Sequence, residues 1–238
     1  MDAERGLRLQ IRGQHFELLP ERAIFWLEKN TLLLSDLHWG KSETFQSHGI
    51  PISSRMLEAD LKRLTRVLAR TQAQHLVVLG DLIHTNESLT ETLIDQVAEW
   101  RNETKDISFT LIRGNHDRYL KNTLESWKMK IIENSFTDLP FQLAHEPRDF
   151  EGQENHDTFV ISGHLHPTFT LKSGADRLRL PCFYLDKNLA ILPAFSEFTS
   201  GIEMKARADS QIFVIADYSV IEAHTGEAHT GEALPVKT

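Results

Sequence analysis

The chain has one cysteine, Cys182, in 238 residues, which excludes an intrachain disulfide framework and any cysteine-built zinc cage. No apolar run approaches the roughly 18 to 20 residues needed to cross a bilayer, so no membrane association is expected. The first residues, MDAERGLRLQ, lack the basic-then-apolar order of a signal peptide. A cytoplasmic location is the plain expectation. Nor does a Pro-, Gly- or Ser-rich linker divide the chain, and we expect one α/β domain over residues 1–220. Positive charge is also short. The formal net charge of −8, with histidine neutral, argues against a surface coated for a tight, sequence-independent grip on long duplexes.

What is present is the apolar material for an ordinary core, 40% of the residues, with 25% charged. Apolar, β-branched and aromatic runs read as strands: LRLQI, AIFW, TLLLS, HLVVLG, ISFTLIRG, FQLAH, TFVISG, CFYLD, LAILP and QIFVIAD. Two amphipathic helices alternate with the early strands. Leu57, Leu61, Leu64 and Leu68 share one helical face, with Ser53 or Ser54 as its cap and Arg55, Lys62, Arg63, Arg66 and Arg70 on the solvent side. That basic face is either a solvated surface or a rim that attracts phosphates. Leu89, Leu93, Val97 and Trp100 mark the second helix. The end of the chain, EAHTGEAHTGEA, duplicates five residues, and we expect residues 221–238 to form a flexible tail. We set its histidines, His224 and His229, aside.

Histidine is abundant, with twelve in the chain. Five segments share one design, in which an apolar strand ends and polar side chains follow at once: LLLSDLH, LVVLGDLIH, FTLIRGNHD, FQLAHE and VISGHLHP. In layered α/β folds neighbouring strand ends lie side by side, so these five could meet in one place. Taken singly, most read as turns or as ordinary histidines. Taken together and in this order, they are hard to credit to chance. In an extended chain, i and i+2 residues point the same way, which would aim Asp36 with His38, and His164 with His166, into one pocket. The set supplies Asp36, Asp81, Asn115, His38, His145, His164 and His166, and no thiolate. Oxygen and imidazole donors suit borderline divalent ions. The set is too large for one ion but suits two ions bridged by a carboxylate.

These motifs resemble those of the calcineurin-like metallophosphoesterases, in which D-x-H, GD, GNH[DE], a lone His and G-H-x-H follow one another. The flanking strings LLPERAIFW, SDLHWGKSETFQSHGIPI, AHEP, LRLPCF and LPAFSEFTSG resemble more narrowly the bacterial ligase-associated DNA-damage-response metallophosphoesterases, described as endonucleases. The likeness covers roughly residues 7 to 220. It implies a four-layer α/β/β/α sandwich with two mixed β-sheets. By the same likeness Asp36, His38 and His166 hold one metal, Asn115, His145 and His164 hold the other, and Asp81 bridges them. Manganese is the metal implied, with iron, zinc, cobalt and nickel as alternatives. The implied reaction is in-line attack on a phosphodiester of DNA by a hydroxide held between the metals, in repair alongside a DNA ligase and a DEAD/DEAH-type helicase.

The resemblance also makes His116 a group that faces the substrate rather than a ligand, and Asp117 could orient its ring. Arg113 and Arg118 are phosphate clamps or surface salt bridges. His84 touches substrate or supports a ligand. Lys41 and Trp39 lie where a wall of the substrate groove would be, and Trp39 could stack on a base or cap the core. Two other functions stay open: hydrolysis of small nucleotides or phosphomonoesters, and a non-catalytic scaffold of the same fold.

Overall fold

A meander of β1 (Leu7–Ile11), β2 (Gln14–Leu19), β3 (Ala23–Trp26) and β4 (Thr31–Leu34) begins the first sheet, antiparallel throughout. After α1 (Lys41–Ser47) and α2 (Met56–Thr71), β5 (His75–Leu79) pairs parallel to β4. Helix α3 (Glu91–Glu103), β6 (Ser108–Ile112) and β7 (Met129–Ile132) extend the parallel half. The second sheet is also mixed. Its strands are β8 (Ser135–Asp138), β9 (Phe141–Ala144), β10 (Phe159–Ser162), β12 (Asp176–Asp186), β13 (Leu189–Ile191), β14 (Gln211–Ala216) and β15 (Ser219–Glu222), in the order β15-β14-β12-β13-β10-β9-β8. Strand β11 (Thr168–Ser173) pairs with the first half of β12. This is a computed structural model, and it describes residues 6–47, 49, 55–120, 125–147, 158–173, 176–197 and 199–223.

Side-chain alternation decides what each strand holds together. In β4, Leu32 and Leu34 pack under α2 and α3 with Leu61, Leu64, Val97 and Trp100, while Leu33 enters the layer between the sheets. A strand buried on both faces needs such an unbroken apolar run. The layer between the sheets joins Phe16, Trp26, Leu33 and Ile112 to Phe141, Phe159, Ile161 and Phe183. The far side of the second sheet closes with Cys182, Tyr184, Ile212 and Val214 packed by Phe169, Leu180 and Met204.

Several expectations are refined. Helix α3 begins at Glu91, where the Thr90 side chain accepts from the Leu93 N–H at 3.2 Å, and residues 86–88 form a separate 3-10 turn. Arg63 is not on the solvent side. It is only 9% exposed, pairs with Asp60 and Glu197, donates to the Phe195 carbonyl, and lies over the Phe195 ring. Asp60 is its helical neighbour, but Glu197 and Phe195 come from the far end of the chain, which helical periodicity could not reveal. Ser53 and Ser54, proposed as caps, lie outside the described residues. Ile221 and Glu222 close β15 against Val214 and Phe213, so the expected tail does not start at 221; the histidines His224 and His229 lie outside the described residues. Among the described residues no helix is long and apolar enough to cross a membrane.

Candidate metal centre

Each of the five polar segments follows the C-terminal end of a parallel-paired strand. Asp36 and His38 follow β4, Asp81 follows β5, Asn115 follows β6, His145 follows β9, and His164 and His166 follow β10. Backbone bonds tie the segments to one another. Asp36 N donates to Gly80 O at 3.0 Å, His38 N to Asp81 O at 2.9 Å, and Gly163 N to His145 O at 3.1 Å.

The local backbone differs from the extended chain expected. Asp36, His38, Asp81, His164 and His166 all have left-handed φ, of 56°, 47°, 52°, 70° and 46°. A side chain there is aimed by a tight turn rather than by strand alternation, at a steric cost that non-glycine residues rarely bear. Two glycines make the crowding possible. A Cβ on Gly80, itself at φ 81°, would run into the His145 ring, and one on Gly163 would press on Ser35 and Asp36.

Two clusters result. In one, single donor atoms of Asp36, His38 and His166 lie within 4.8 Å of one another, and in the other those of Asp81, His145 and His164 do the same. Asn115 joins the second, its Oδ1 lying 3.0 Å from His145 Nε2. Asp81 faces both: Oδ1 is 3.4 Å from His145 Nε2 and Oδ2 is 3.9 Å from His38 Nε2. The structure thus brings together all the residues proposed as ligands.

Backbone carbonyls fix what these rings offer. A carbonyl can only accept, so His145 Nδ1, 2.8 Å from Leu79 O, and His166 Nδ1, 3.0 Å from Ser200 O, each carry a hydrogen. In the neutral ring this leaves Nε2 bare and aimed inward. His166 Nε2 then meets His38 Nε2 at 3.4 Å, and His145 Nε2 meets His164 Nδ1 at 3.1 Å and the Asn115 oxygen. His38 Nδ1 is buried without a hydrogen-bond partner, and Asp36 Oδ1, also buried, meets His166 Nε2 at 3.1 Å. Carboxylate, amide and imidazole donor atoms thus crowd two small spaces, which is the donor set a cation requires. The residues present therefore fit two divalent ions.

The crowding shifts the neighbouring groups in opposite directions, and on His145 and His166 it favours a proton where an ion would bind. Burial drives His38 down to about 3. Burial also works against the His145 cation, but the Asp81 hydrogen bond and the charges of Asp36 and Asp81 push that ring up to about 9. For Asp81, burial would raise the carboxyl, yet the His145 contact and charge hold it at about 2. His166 is raised because Asp36, at 3.1 Å, outweighs burial.

The remaining residues divide. His116 is half-buried beside the clusters, with Nε2 3.9 Å from Asp81 Oδ2 and Nδ1 2.6 Å from the His84 carbonyl. The His84 ring stacks on it at 5.6 Å, and His38, His84 and His116 form a third histidine cluster. His84 is lowered by burial and by the nearby charge of Lys41, itself half-buried at the start of α1. Asp117 does not orient the His116 ring. It is fully buried and accepts from the N–H groups of Leu82 at 3.0 Å, Ile83 at 3.2 Å and Gly114 at 2.9 Å. Arg113 is committed elsewhere too, to Glu133 and to the Asp117 and Leu120 carbonyls, so it is a structural brace rather than a clamp. Arg118 is exposed. Trp39 is 2% exposed and packs edge-on against Trp100 and Trp127, which makes it core. Two residues not singled out from sequence, Arg22 and Arg179, line a groove of about 330 Å³ beside His166. The readable sign was Arg177-x-Arg179, two cations on one face of a strand.

The chain belongs to the calcineurin-like phosphoesterase family, whose profile matches residues 29–170 and so takes in every segment of the centre. Its two mixed sheets with flanking helices are the fold of that family's metallophosphoesterases, and the protein is a phosphoesterase of this kind. Among solved structures, the crystal structure of Pseudomonas putida nuclease MPE is similar at 34% identity, over 92% of this chain and 100% of that one, with a TM-score of 0.79. Yfce, a phosphoesterase from E. coli, is 17% identical over 82% of this chain and 99% of its own, with a TM-score of 0.45, too slight a likeness to argue from. A comparison with curated proteins finds no match.

Proposed function

We propose that the protein is a two-metal phosphodiesterase that cuts DNA, with manganese as its working ion. The observation that carries the reading is Asp81, whose two oxygens face two separate clusters of inward-facing nitrogens and oxygens. The nuclease relative, alike over nearly the whole chain, supports the class of substrate. Asp36, His38 and His166 would hold one ion and Asn115, His145 and His164 the other. When bound, the two ions supply Lewis acidity at the phosphoryl group and lower the pKa of the attacking water.

The chain's own residues do the rest. Leu79 O and Ser200 O hold the ligand rings in one tautomer, so no reorientation precedes binding. His116 faces the same space. With its Nδ1–H directed at the His84 carbonyl, it can give a proton to a leaving oxygen only when both nitrogens are protonated. The stacked His84 ring keeps the imidazole plane fixed. The same reading has the enzyme acting in repair beside a DNA ligase and a helicase, which co-purification from cells would test.

The deciding assay offers the manganese-loaded protein bis-p-nitrophenyl phosphate, p-nitrophenyl phosphate, single-stranded DNA and double-stranded DNA in parallel. Cleavage of the diester and of DNA, with the monoester inert, is the expected result. Rapid monoester turnover with intact DNA would replace this reading by a small-molecule phosphatase. Metal uptake with no turnover on any substrate would replace it by a scaffold.

A further inference from the structure

The β11–β12 hairpin leaves the metal centre directly, since β11 begins two residues after His166. Its register sets Thr168 opposite Pro181, Thr170 opposite Arg179, and Lys172 opposite Arg177. Directly paired residues share a face. That face therefore carries Thr168, Thr170, Lys172, Arg177 and Arg179, while Phe169 and Leu180 on the other face pack onto the second sheet. Thr168, Arg179 and Pro181 line the groove that contains His166, so the basic face continues the floor of that groove outward. Arg179 is held in place: its Nε donates to Thr168 Oγ1 at 2.9 Å, and its NH2 group donates to Gly201 O. Lys172 and Arg177 are exposed, and among the described residues neither makes an ion pair. The acids nearby are few. Asp176 stands opposite Ser173 on the hairpin, Glu197 in the groove is paired with Arg63, and Glu203 runs beside Thr168.

We infer that this face is a track for the phosphates of a single DNA strand running out of the metal centre. Arg179 grips the phosphate next to the reacting one, and Lys172 with Arg177 grips phosphates farther along. The charge pattern favours a polyanion that threads through the site rather than a compact ligand. Arg177 and Arg179 lie about 7 Å apart along the strand, and Lys172 lies about 13 Å along β11 from Thr168, which lines the groove with His166. A small diester cannot span that distance. In a chain of net charge −8, this local run of cations beside the metal centre is one place where an anionic polymer would be drawn. The inference rests on the reading of the enzyme as a DNA phosphodiesterase and adds where the strand lies.

The test compares wild type with Lys172→Glu/Arg177→Glu and, separately, Arg179→Ala. Affinity for a fluorescent single-stranded oligonucleotide is measured against salt, and cleavage of DNA is measured against cleavage of bis-p-nitrophenyl phosphate. The double variant touches only exposed side chains, so it retains the fold, and circular dichroism checks this. The expected result is DNA affinity weaker by about tenfold or more, a shallower salt dependence, and a matching fall in the ratio of DNA to small-diester cleavage. Shortening the oligonucleotide to a trinucleotide should erase the difference between wild type and the double variant. If the double variant binds and cuts long DNA like wild type, the track is wrong and the DNA reading stands. If wild type itself neither binds nor cuts DNA while cleaving the small diester, the DNA reading fails and the track with it.

Discussion

Replacing Asp117 by alanine separates two roles that its position beside His116 allows. A residue that orients the His116 ring would, when removed, lower turnover and leave the fold untouched. The observed contacts predict otherwise. The carboxylate is 0% exposed and takes three backbone N–H groups, from Leu82, Ile83 and Gly114, which belong to the loops carrying Asp81 and Asn115. Each buried donor left unpaired costs about 1–3 kcal/mol. A water entering the space would recover part of this, so we expect a loss of about 3–5 kcal/mol. With a urea m-value of roughly 2–3 kcal/mol/M, the midpoint should fall by about 1–2 M. Asp117→Asn keeps one acceptor oxygen but turns its amide hydrogens toward a donor on the other side, and we expect about 1–3 kcal/mol. Equilibrium unfolding followed by tryptophan fluorescence, paired with metal content by mass spectrometry, measures both. An alanine variant with the wild-type midpoint and full metal content, but impaired turnover, would refute the assignment of Asp117 to the loops.

Changing His116 to glutamine should leave two divalent ions per chain and lower turnover by about 10²–10⁴-fold, read by single-turnover kinetics beside metal analysis; wild-type turnover would remove it from proton transfer. Metal affinity should rise with pH. His145 holds its proton up to about 9, so below that value the ion must displace it, and apparent affinity should gain about tenfold per unit between pH 7 and 9, then level off. Titration with a competing chelator at several pH values follows this, and a flat profile would contradict the His145–Asp81 proton. Cys182 is buried, with its thiol pushed up to about 12, so a thiol-specific disulfide reagent should find no reactive cysteine in the native protein and one after denaturation.

The metal centre was largely legible in the sequence because each ligand follows an apolar run that had to be a buried strand. Asp36 after LLL and Asp81 after LVVLG are costly endings unless a cation waits there. The means of convergence was not legible. Spacing of i and i+2 suggested extended backbone, whereas left-handed turns aim His38, His164 and His166, and the mild enrichment of histidine at positive φ is too weak a signal to announce them. Strands β2, β7, β8, β11 and β15 were also missed. QHFELL and SFTD have half-polar patterns, since part of β2 and all of the edge strand β8 stay in reach of solvent, and these lack the β-branched runs that marked the central strands. Arg63 read as a surface charge and Arg113 as a phosphate clamp or surface salt bridge; beyond the near neighbours Asp60 and Asp117, their partners Glu197, Phe195 and Glu133 lie at sequence distances that helical or local spacing cannot report. Asp117 looked like a partner of its neighbour, but its oxygens point away, to backbone more than thirty residues earlier as well as to Gly114.

The left-handed backbone at the ligands has an evolutionary consequence. A non-glycine residue in that conformation costs roughly 1–2 kcal/mol relative to one free to relax, and glycine bears almost none of it. Asp36, His38, Asp81, His164 and His166 are therefore positions where the fold, left to stability alone, would drift toward glycine or asparagine. A chain released from the need to bind metal should lose these residues early and become more robust as it does so. An intact set in any sequence of this fold is thus a mark of chemistry still under selection, held against the backbone's own preference.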